Sequence, residues 1–289
     1  MQDESETGKL AIPELAVQTP SQLQFISEVE SALARTSERP CYRVDTSCNV
    51  AVLVLNRPRR CNAFSLEMLT LLRDELNELK AREDIDGLMI VGKGNAFCSG
   101  LDLDEAMQPG VAGGDPPGLE MVRLVVEILR QIMTQRQYVV AVGQRVARGG
   151  GAALMCLADY KIVDIPFTLA FPEAKLGFDS SLLRPFLSRL VGPRDYKTLC
   201  SGTPVNSWSA KKMGLVDEVT KTEELVVKVG LRCYFFGDIM KSVRSLNMRD
   251  RDEFLPSRQE LKDAVELHWR SWSSPKAQKR IREFLDGKR

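Results

Sequence analysis

Short runs of apolar residues alternate with longer amphipathic segments along the middle of this sequence. The apolar runs predict buried strands at 49–56, 87–94, 138–143 and 161–165. The amphipathic segments predict helices at 65–83, 118–135 and 152–160. The first helix follows Ser65, a residue type typical of an N-cap. Strand, turn and helix in this order predict an α/β fold with a parallel sheet and crossover helices.

Segments of different composition flank this pattern and interrupt it. Residues 1–40 carry one amphipathic piece, SQLQFISEVESALART, and we expect an extension outside the core, partly disordered, with at most one helix. Gly and Pro dominate PGVAGGDPPG at 109–118, which predicts a mobile loop. Charged amphipathic helices such as ELVVKVGLRCYFFGDIMKSV and RQELKDAVELHWRSW follow. We therefore divide the rest of the chain into a core at 41–222 and a C-terminal helical region at 223–289.

The charges of the chain nearly cancel, since 40 lysines and arginines stand against 39 aspartates and glutamates. This balance gives no electrostatic reason to expect nucleic acid or an anionic membrane as a partner. No apolar run approaches the roughly 18 residues that span a bilayer. The acidic start MQDESETGK is unlike a secretory signal or a transit peptide, so we expect a cytoplasmic protein by default, with mitochondrial or peroxisomal import left open.

Cysteine and histidine usage narrows the chemistry. The seven cysteines are odd in number and contain no CxxC pair, which predicts reduced thiols rather than disulfides or a zinc site. His268 is the single histidine. This count argues against a Ser-His-Asp triad and against a His-ligated metal, so we expect no metal site.

Two glycine-containing turns suggest sites for a negative charge. In NAFCSGLDLDEAM (95–107), a glycine turn follows a strand and leaves a backbone N–H open to a ligand. In RVARGGGAALMCLAD (145–159), Gly150 stands at a helix start, where free N–H groups and the helix dipole favour an anion. Two such donors aimed at one oxygen would form an oxyanion hole. Taken alone, the glycine run is better explained by close packing of helix against strand.

Five motifs in a fixed order resemble the crotonase superfamily, that is, the enoyl-CoA hydratase/isomerase superfamily. They are NRPRRCNAF (56–64), AFCSGLDL (96–103), GGGAALMCLADYKI (149–162), FPEAKLGF (171–178) and SGTPVNSWSAKKMGLVDEV (201–219). The resemblance implies a spiral of β-β-α repeats followed by a C-terminal helical region. It also implies a homotrimer or hexamer that acts on acyl-CoA thioesters.

The same resemblance implies the residues of the site. The N–H groups of Leu101 and Gly150 would form the oxyanion hole. The acyl-CoA group would be bound by Ser99, Gly100, Asp102, Leu103, Arg57, Arg59, Arg60 and Ala63. For any one of the three arginines, a solvated turn is an equally good explanation. The tail ELHWRSWSSPKAQKRIREFLDGKR (266–289) would close over the coenzyme A pocket or pack in the trimer, and its cations would meet the coenzyme A phosphates. Core packing is the simpler explanation of Trp269 and Trp272.

The acid and base groups decide between reactions within the superfamily. Its hydratases resemble one another in having two glutamates, and the first and second of these positions correspond here to Ala153 and Glu173. Because Ala153 carries no proton, Glu173 would work alone, as in the Δ3,Δ2-enoyl-CoA isomerases, to which SGLDL and DYKI are also similar. Glu173 would move a proton from C2 to C4 of a 3-enoyl-CoA without a cofactor. Taken alone, Glu173 is an ordinary first-turn glutamate after Pro172.

Two alternatives stay open. Some relatives carry a second acid eight residues after the second glutamate, and the corresponding position here is Ser181. The nearest acid to that position is Asp179, which would support a hydratase if it took this role. The other alternative is a catalytically silent scaffold or RNA-associated subunit. It is motivated by Ala153 and by Gln144-Arg145 in place of a common Asn-Gly; Tyr138 also replaces a common proline.

Overall fold

The computed structural model describes residues 19–110, 114–229 and 254–287. Its strands are β1 (Cys41–Asp45), β2 (Val50–Leu55), β3 (Gly87–Gly92), β4 (Tyr138–Gly143), β5 (Val146–Arg148), β6 (Tyr160–Asp164), β7 (Thr168–Ala170), β8 (Val205–Asn206) and β9 (Glu218–Thr220). Within the described residues these strands form a six-stranded sheet, β1-β2-β3-β4-β6-β9, and a three-stranded sheet, β5-β7-β8. All neighbours in the larger sheet are parallel except β1 and β2. The four predicted strands and their parallel arrangement are confirmed.

Helices cover the sheets and the C-terminal side of the molecule. They are α1 (Pro20–Ala34), α2 (Leu66–Ala81), α3 (Leu103–Ala106), α4 (Pro117–Thr134), α5 (Gly149–Cys156), α6 (Arg184–Leu187), α7 (Pro193–Cys200), α8 (Ser207–Lys212), α9 (Arg258–Trp272) and α10 (Pro275–Asp286). Single 3₁₀ turns lie at Pro58–Arg60, Pro172–Ala174 and Thr222–Glu224. The Ser65 hydroxyl accepts a hydrogen bond from the Met68 N–H, which confirms the predicted cap of α2.

The larger sheet is buried on both faces. Along β2, Leu53 and Leu55 belong to the main core with α2 and α4, whereas Val52 and Val54 belong to a second core on the opposite face. Such a sheet needs a cover on each side.

Helix α1 supplies part of the second cover, since Phe25 and Val29 are buried in that core. The expectation that residues 1–40 lie outside the core is therefore wrong for α1. The periodic apolar positions of this helix have a sheet face to bury against. Residues 1–18 of the same predicted segment lie outside the described residues.

Helix α5 begins earlier than its apolar pattern predicts. The pattern predicts a helix at 152–160, but the helix is Gly149–Cys156, so the three glycines form its first turn. Gly149 has a left-handed φ of +50°, and a Cβ added at Gly151 would lie 2.5 Å from Cys98 Sγ. The glycines therefore let α5 start close to the neighbouring chain, as the packing explanation requires.

The C-terminal region is helical where it is described. The predicted helix RQELKDAVELHWRSW is α9, which packs on α4 and α6, and α10 contacts α3. Residues 230–253, which include much of the other predicted helix, and residues 111–113 of the predicted loop lie outside the described residues. No helix among the described residues combines the length and apolar character of a membrane-crossing segment.

Candidate active site

A cavity of about 1250 Å³ opens between the core and the C-terminal helices. Its walls come from segments far apart in sequence: 59–63, 99–104, 148–150, 172–183, and the helices α9 and α10. The cavity lies beside the start of α5, at the ends of elements rather than along them. This is the position at which α/β folds present backbone groups and turn residues to a ligand.

The turn at 98–101 is held so that Leu101 faces away from its neighbouring segment. Phe64 donates its N–H to the Gly100 carbonyl at 2.8 Å and accepts the Asp102 N–H at 2.9 Å. Phe64 and this turn thus form a parallel β-bridge in which residues 100 and 102 make the hydrogen bonds. The N–H and carbonyl of Leu101 therefore point away from Phe64. The Leu101 N–H has no protein acceptor among the described residues, and Leu101 lines the cavity.

The start of α5 presents a second backbone donor to the same cavity. Gly150 lines the cavity and is the second residue of α5, so its N–H is among those that no carbonyl of the helix can accept. The 98–101 turn is tied to this helix start, since the Arg148 N–H donates to the Cys98 carbonyl at 2.9 Å. The structure thus brings Leu101 and Gly150, 49 positions apart in the sequence, to one cavity wall.

Glu173 stands beside that helix start. It lies in the 3₁₀ turn Pro172–Ala174, lines the cavity and is 7% exposed. A Cβ added at Gly149 would lie 3.1 Å from Glu173 Oε1, so only a glycine leaves the carboxylate its full space there. Burial raises the pKa of Glu173 to about 7, against a smaller lowering by its own backbone N–H and by the Ser180 hydroxyl.

Neither of the other two candidate positions brings an acid into the cavity. Ala153 is fully buried in the main core. Asp179 is exposed, and its carboxylate accepts the Ser181 N–H at 2.9 Å. Because that side chain caps its own turn, it does not supply the second acid on which the hydratase alternative depends.

Most of the residues assigned to acyl-CoA binding do line the cavity. These are Arg59, Arg60, Ala63, Ser99, Gly100, Asp102 and Leu103. Arg57 does not line it: its guanidinium pairs with the Asp102 carboxylate at 2.8 Å and donates to the Ala63 carbonyl at 2.6 Å. Arg57 therefore holds two lining residues in place, and direct contact with coenzyme A stays a prediction for the others.

The cavity also has a cationic rim, in keeping with what the resemblance implies for Arg59, Arg60 and the cations of the C-terminal tail. Arg60 pairs with Asp104 at 2.9 Å, while Arg59, Lys175 and Arg280 have no ion-pair partner among the described residues. Unpaired cations at a cavity mouth suit phosphate groups. Arg280 arrives on α10, more than 200 positions after Arg59, so the sequence offered no spacing that could connect them.

Aromatic side chains from α9 form another wall of the cavity. The resemblance implied that this tail closes over the pocket, but sequence reasoning missed the position of His268. His268 is 3% exposed, stands edge-on to Phe178 at 5.3 Å between ring centroids, and lines the cavity with Phe178 and Trp272. Its Nδ1 lies 3.2 Å from the Asp179 carbonyl, which can only accept, so Nδ1 carries the proton. Burial lowers the pKa of His268 to about 4, which keeps the ring neutral. The i, i+4 spacing of His268 and Trp272 was the available signal.

The Gln144-Arg145 replacement preserves a turn. Arg145 has a left-handed φ of +52°, a conformation that glycine adopts most easily. The buried Gln144 amide donates to the carbonyls of Gly92, Gly94 and Ala96. These bonds hold the segment before β5 in place. Among the described residues, no group of three or more His, Cys, Asp or Glu side chains is arranged to hold a metal ion.

Comparison with known proteins agrees with this architecture. The sequence profile of the Enoyl-CoA hydratase/isomerase family matches residues 45–283. The chain therefore belongs to the enoyl-CoA hydratase/isomerase family, within the crotonase superfamily of acyl-CoA-processing enzymes.

Proteins similar to this chain are named for more than one activity. A putative enoyl-CoA hydratase of Thermus thermophilus is 33% identical over 177 residues, which cover 59% of this chain and 68% of that protein. The ethylmalonyl-CoA decarboxylase of Xenopus laevis is 29% identical over 216 residues, 71% of each chain. The crystal structure of an enoyl-CoA hydratase from Bacillus halodurans superposes with a TM-score of 0.73 at 19% identity, over 84% of this chain and 99% of that one. That structural likeness establishes the crotonase fold.

Proposed function

We propose that this protein is a Δ3,Δ2-enoyl-CoA isomerase in which Glu173 is the single proton-transferring residue. The observation that carries the proposal is the buried Glu173 carboxylate, which has no ion-pair partner among the described residues. The other buried carboxylate at the cavity, Asp102, is paired with Arg57, while Ala153 lies in the core and Asp179 is turned outward. A lone carboxylate suits the transfer of one proton along a substrate. Paired handling of water requires a second acid.

The proposed reaction uses groups that already line the cavity. The thioester oxygen of a 3-enoyl-CoA binds between the N–H groups of Leu101 and Gly150. The Glu173 carboxylate removes a proton from C2, and the resulting dienolate charge rests on the thioester oxygen. The protonated Glu173 then returns the proton at C4, and the double bond moves from C3–C4 to C2–C3. Protons and charge balance without a cofactor.

The protonation behaviour of Glu173 supports this cycle. Because burial raises its pKa to about 7, the carboxylate and the carboxylic acid have similar stability near neutral pH. A group in this condition can both accept and return a proton within one turnover.

The deciding experiment is a paired assay. Purified protein is given 3-hexenoyl-CoA, and separately crotonyl-CoA, with 2-enoyl product and water addition measured in turn. We expect isomerisation without hydration. Glu173→Gln should lower isomerisation by about a hundredfold to ten-thousandfold, because the amide cannot take the proton. Glu120→Gln, an exposed glutamate on α4, is the matched control. Unchanged turnover in Glu173→Gln would contradict the mechanism.

A decarboxylase is the second candidate, because the Xenopus laevis relative is an ethylmalonyl-CoA decarboxylase. Loss of carbon dioxide from such a thioester also leaves an enolate, which the same two N–H groups would hold, and protonated Glu173 would complete the product. Release of carbon dioxide from ethylmalonyl-CoA is the test. Release much faster than isomerisation of 3-hexenoyl-CoA would favour this candidate.

The scaffold alternative predicts that no coenzyme A thioester binds. A ligand at 100 times its dissociation constant stabilises the native state by about 2.7 kcal/mol. We therefore expect a clear rise in melting temperature with acyl-CoA, and the absence of any rise would favour the scaffold. We also propose a homotrimer or hexamer, which a mass measurement in solution would test.

A further inference from the structure

Ser180 is a buried residue for which the catalytic scheme has so far given no role. It lies seven positions after Glu173 and is 8% exposed. Its carbonyl accepts the N–H groups of Leu183 and Arg184 at 3.0 and 3.1 Å, which fixes its backbone at the turn before α6. Its hydroxyl, in contrast, has no partner in hydrogen-bond geometry among the described residues, although it lies near enough to Glu173 to lower the pKa of that carboxyl.

Glu173 has a matching unsatisfied atom. Its Oε2 is buried and likewise lacks a hydrogen-bond partner among the described residues. The chain returns toward Glu173 in this segment, since the Phe178 N–H donates to the Glu173 carbonyl at 3.2 Å. A buried donor and a buried acceptor without partners are each costly, and a hydroxyl can rotate toward an acceptor without moving the backbone.

We propose that Ser180 is a positioning residue for Glu173. The Ser180 hydroxyl donates a hydrogen bond to Oε2 of the ionised Glu173 carboxylate. This bond stabilises the carboxylate over the carboxylic acid. It also occupies Oε2 and leaves Oε1, the oxygen beside Gly149, for proton transfer with the substrate. The catalytic meaning of this bond rests on the proposed isomerase function, whereas the bond itself does not.

Other groups do not account for the protonation of Glu173. The titratable or charged side chains on the segments around it include the acids Asp102, Asp179 and Glu283 and the groups Arg148, Lys175, Tyr196, Cys200, His268 and Arg280. The pKa of Glu173 is shifted by burial, by its own backbone N–H and by the Ser180 hydroxyl, and none of those other groups is among the causes. Removal of the hydroxyl should therefore act on this pKa directly.

The test compares Ser180→Ala, Ser180→Thr and Ser181→Ala with the unmodified protein. Ser181 is the matched control, because its hydroxyl is also buried and unpartnered. The first readout is the pH titration of the Glu173 side-chain carboxyl carbon by NMR, assigned by its absence in Glu173→Gln and recorded without substrate. The second readout is the pH profile of 3-hexenoyl-CoA isomerisation.

We expect Ser180→Ala to raise the pKa of Glu173 by about one pH unit, while Ser180→Thr and Ser181→Ala leave it in place. Isomerisation by Ser180→Ala should then fall by about tenfold near pH 6 but by less than twofold near pH 9, where Glu173 is ionised in both proteins. A simple folding defect would lower activity at both pH values.

The outcomes separate this proposal from the isomerase proposal. An unmoved Glu173 titration in Ser180→Ala, or an equal movement in Ser181→Ala, overturns the role of Ser180 whatever the activity. A shifted titration in a protein that does not isomerise 3-hexenoyl-CoA supports the hydrogen bond and overturns the proposed function instead.

Discussion

The start of α5 and the Pro172–Ala174 turn border the same cavity but present opposite chemistry to it. The helix start offers backbone N–H groups and, at Ala153, a side chain buried in the core. The turn offers one buried carboxylate, Glu173. Backbone donors suit a negative charge on oxygen, whereas a titrating side chain suits a moving proton. Substitutions should therefore affect the two regions differently: the turn is sensitive to side-chain identity and the helix start to backbone chemistry.

After Glu173→Gln, the largest loss of isomerase activity should come from Gly150→Pro. Proline removes the Gly150 N–H at a first-turn position that tolerates its ring. Loss of one oxyanion donor should lower isomerisation of 3-hexenoyl-CoA by about a hundredfold to a thousandfold, with little change in substrate affinity. Gly150→Ala keeps the N–H and serves as the control. Equal activity in the two variants would show that this N–H does not hold the thioester oxygen.

The raised pKa of Glu173 in the Pro172–Ala174 turn should make the stability of the protein depend on pH. The pKa of Glu173 is about 7 in the native state against an ordinary value of 4.5 for a glutamate, so the native state retains a proton between these pH values that the unfolded chain releases. The free energy of unfolding therefore falls as pH rises through this window, and Glu173→Gln removes that fall. We expect the free energy of unfolding of Glu173→Gln to exceed that of the unmodified protein by about 3 kcal/mol near pH 8 and to equal it below pH 4.5.

Urea unfolding of both proteins across this pH range is the measurement. His268 acts in the opposite direction, since its lowered pKa of about 4 makes the free energy of unfolding rise with pH up to the ordinary histidine value of 6.5. Because both proteins contain His268, its contribution cancels in the difference. A difference that does not depend on pH would mean that the carboxyl of Glu173 titrates normally.

A smaller effect is expected from the packing role of the glycines. A Cβ at Gly151 would lie 2.5 Å from Cys98 Sγ, whereas a Cβ at Gly150 would approach Val125 Cγ1 only to 3.3 Å. Gly151→Ala should therefore lower the free energy of unfolding by about 1–3 kcal/mol. Gly150→Ala should cost clearly less in the same urea experiment. The reverse order would mean that α5 can shift away from Cys98 without strain.

The smallest effect should belong to Asp179. Its carboxylate is exposed and accepts the Ser181 N–H, so Asp179→Asn removes a turn interaction and no cavity group. We expect isomerisation to change by less than about twofold, since surface substitutions outside special features have small effects. Loss of any hydratase activity in Asp179→Asn would instead revive the two-acid alternative and would set this position beside Glu173.

Much of the fold could be predicted from sequence because its signals are local. The strand at 138–143 is β4 itself, and the cap at Ser65 forms as its residue type predicts. The predictions failed where local pattern was not the deciding force. The low helix propensity of glycine predicts no helix at 149–151, but α5 begins there, and the missing Cβ of Gly151 lets it pack against Cys98. Helix α1 was placed outside the core because the sequence does not show which sheet face lacks a cover.

The candidate site was likewise only partly predictable from the sequence. The order of motifs pointed to Leu101, Gly150 and Glu173, and all three line one cavity. Arg57 was assigned to coenzyme A by motif position alone, and the structure instead pairs it with Asp102, 45 positions away. The resemblance implies that the C-terminal tail closes over the pocket, but only the packing of α9 and α10 shows that His268 and Arg280 line the cavity.

The sequence by itself determined the alternation of strands and helices, the glycine turns and the presence of one acid where a pair is common in hydratases. These features depend on residue type and on spacing along the chain. Only the tertiary structure decided which way Asp179 points, that Ala153 lies in the core and that the pKa of Glu173 is raised to about 7. The physical reason is that desolvation and unmade hydrogen bonds depend on whatever surrounds a group in space, and those surroundings come from distant segments of the chain.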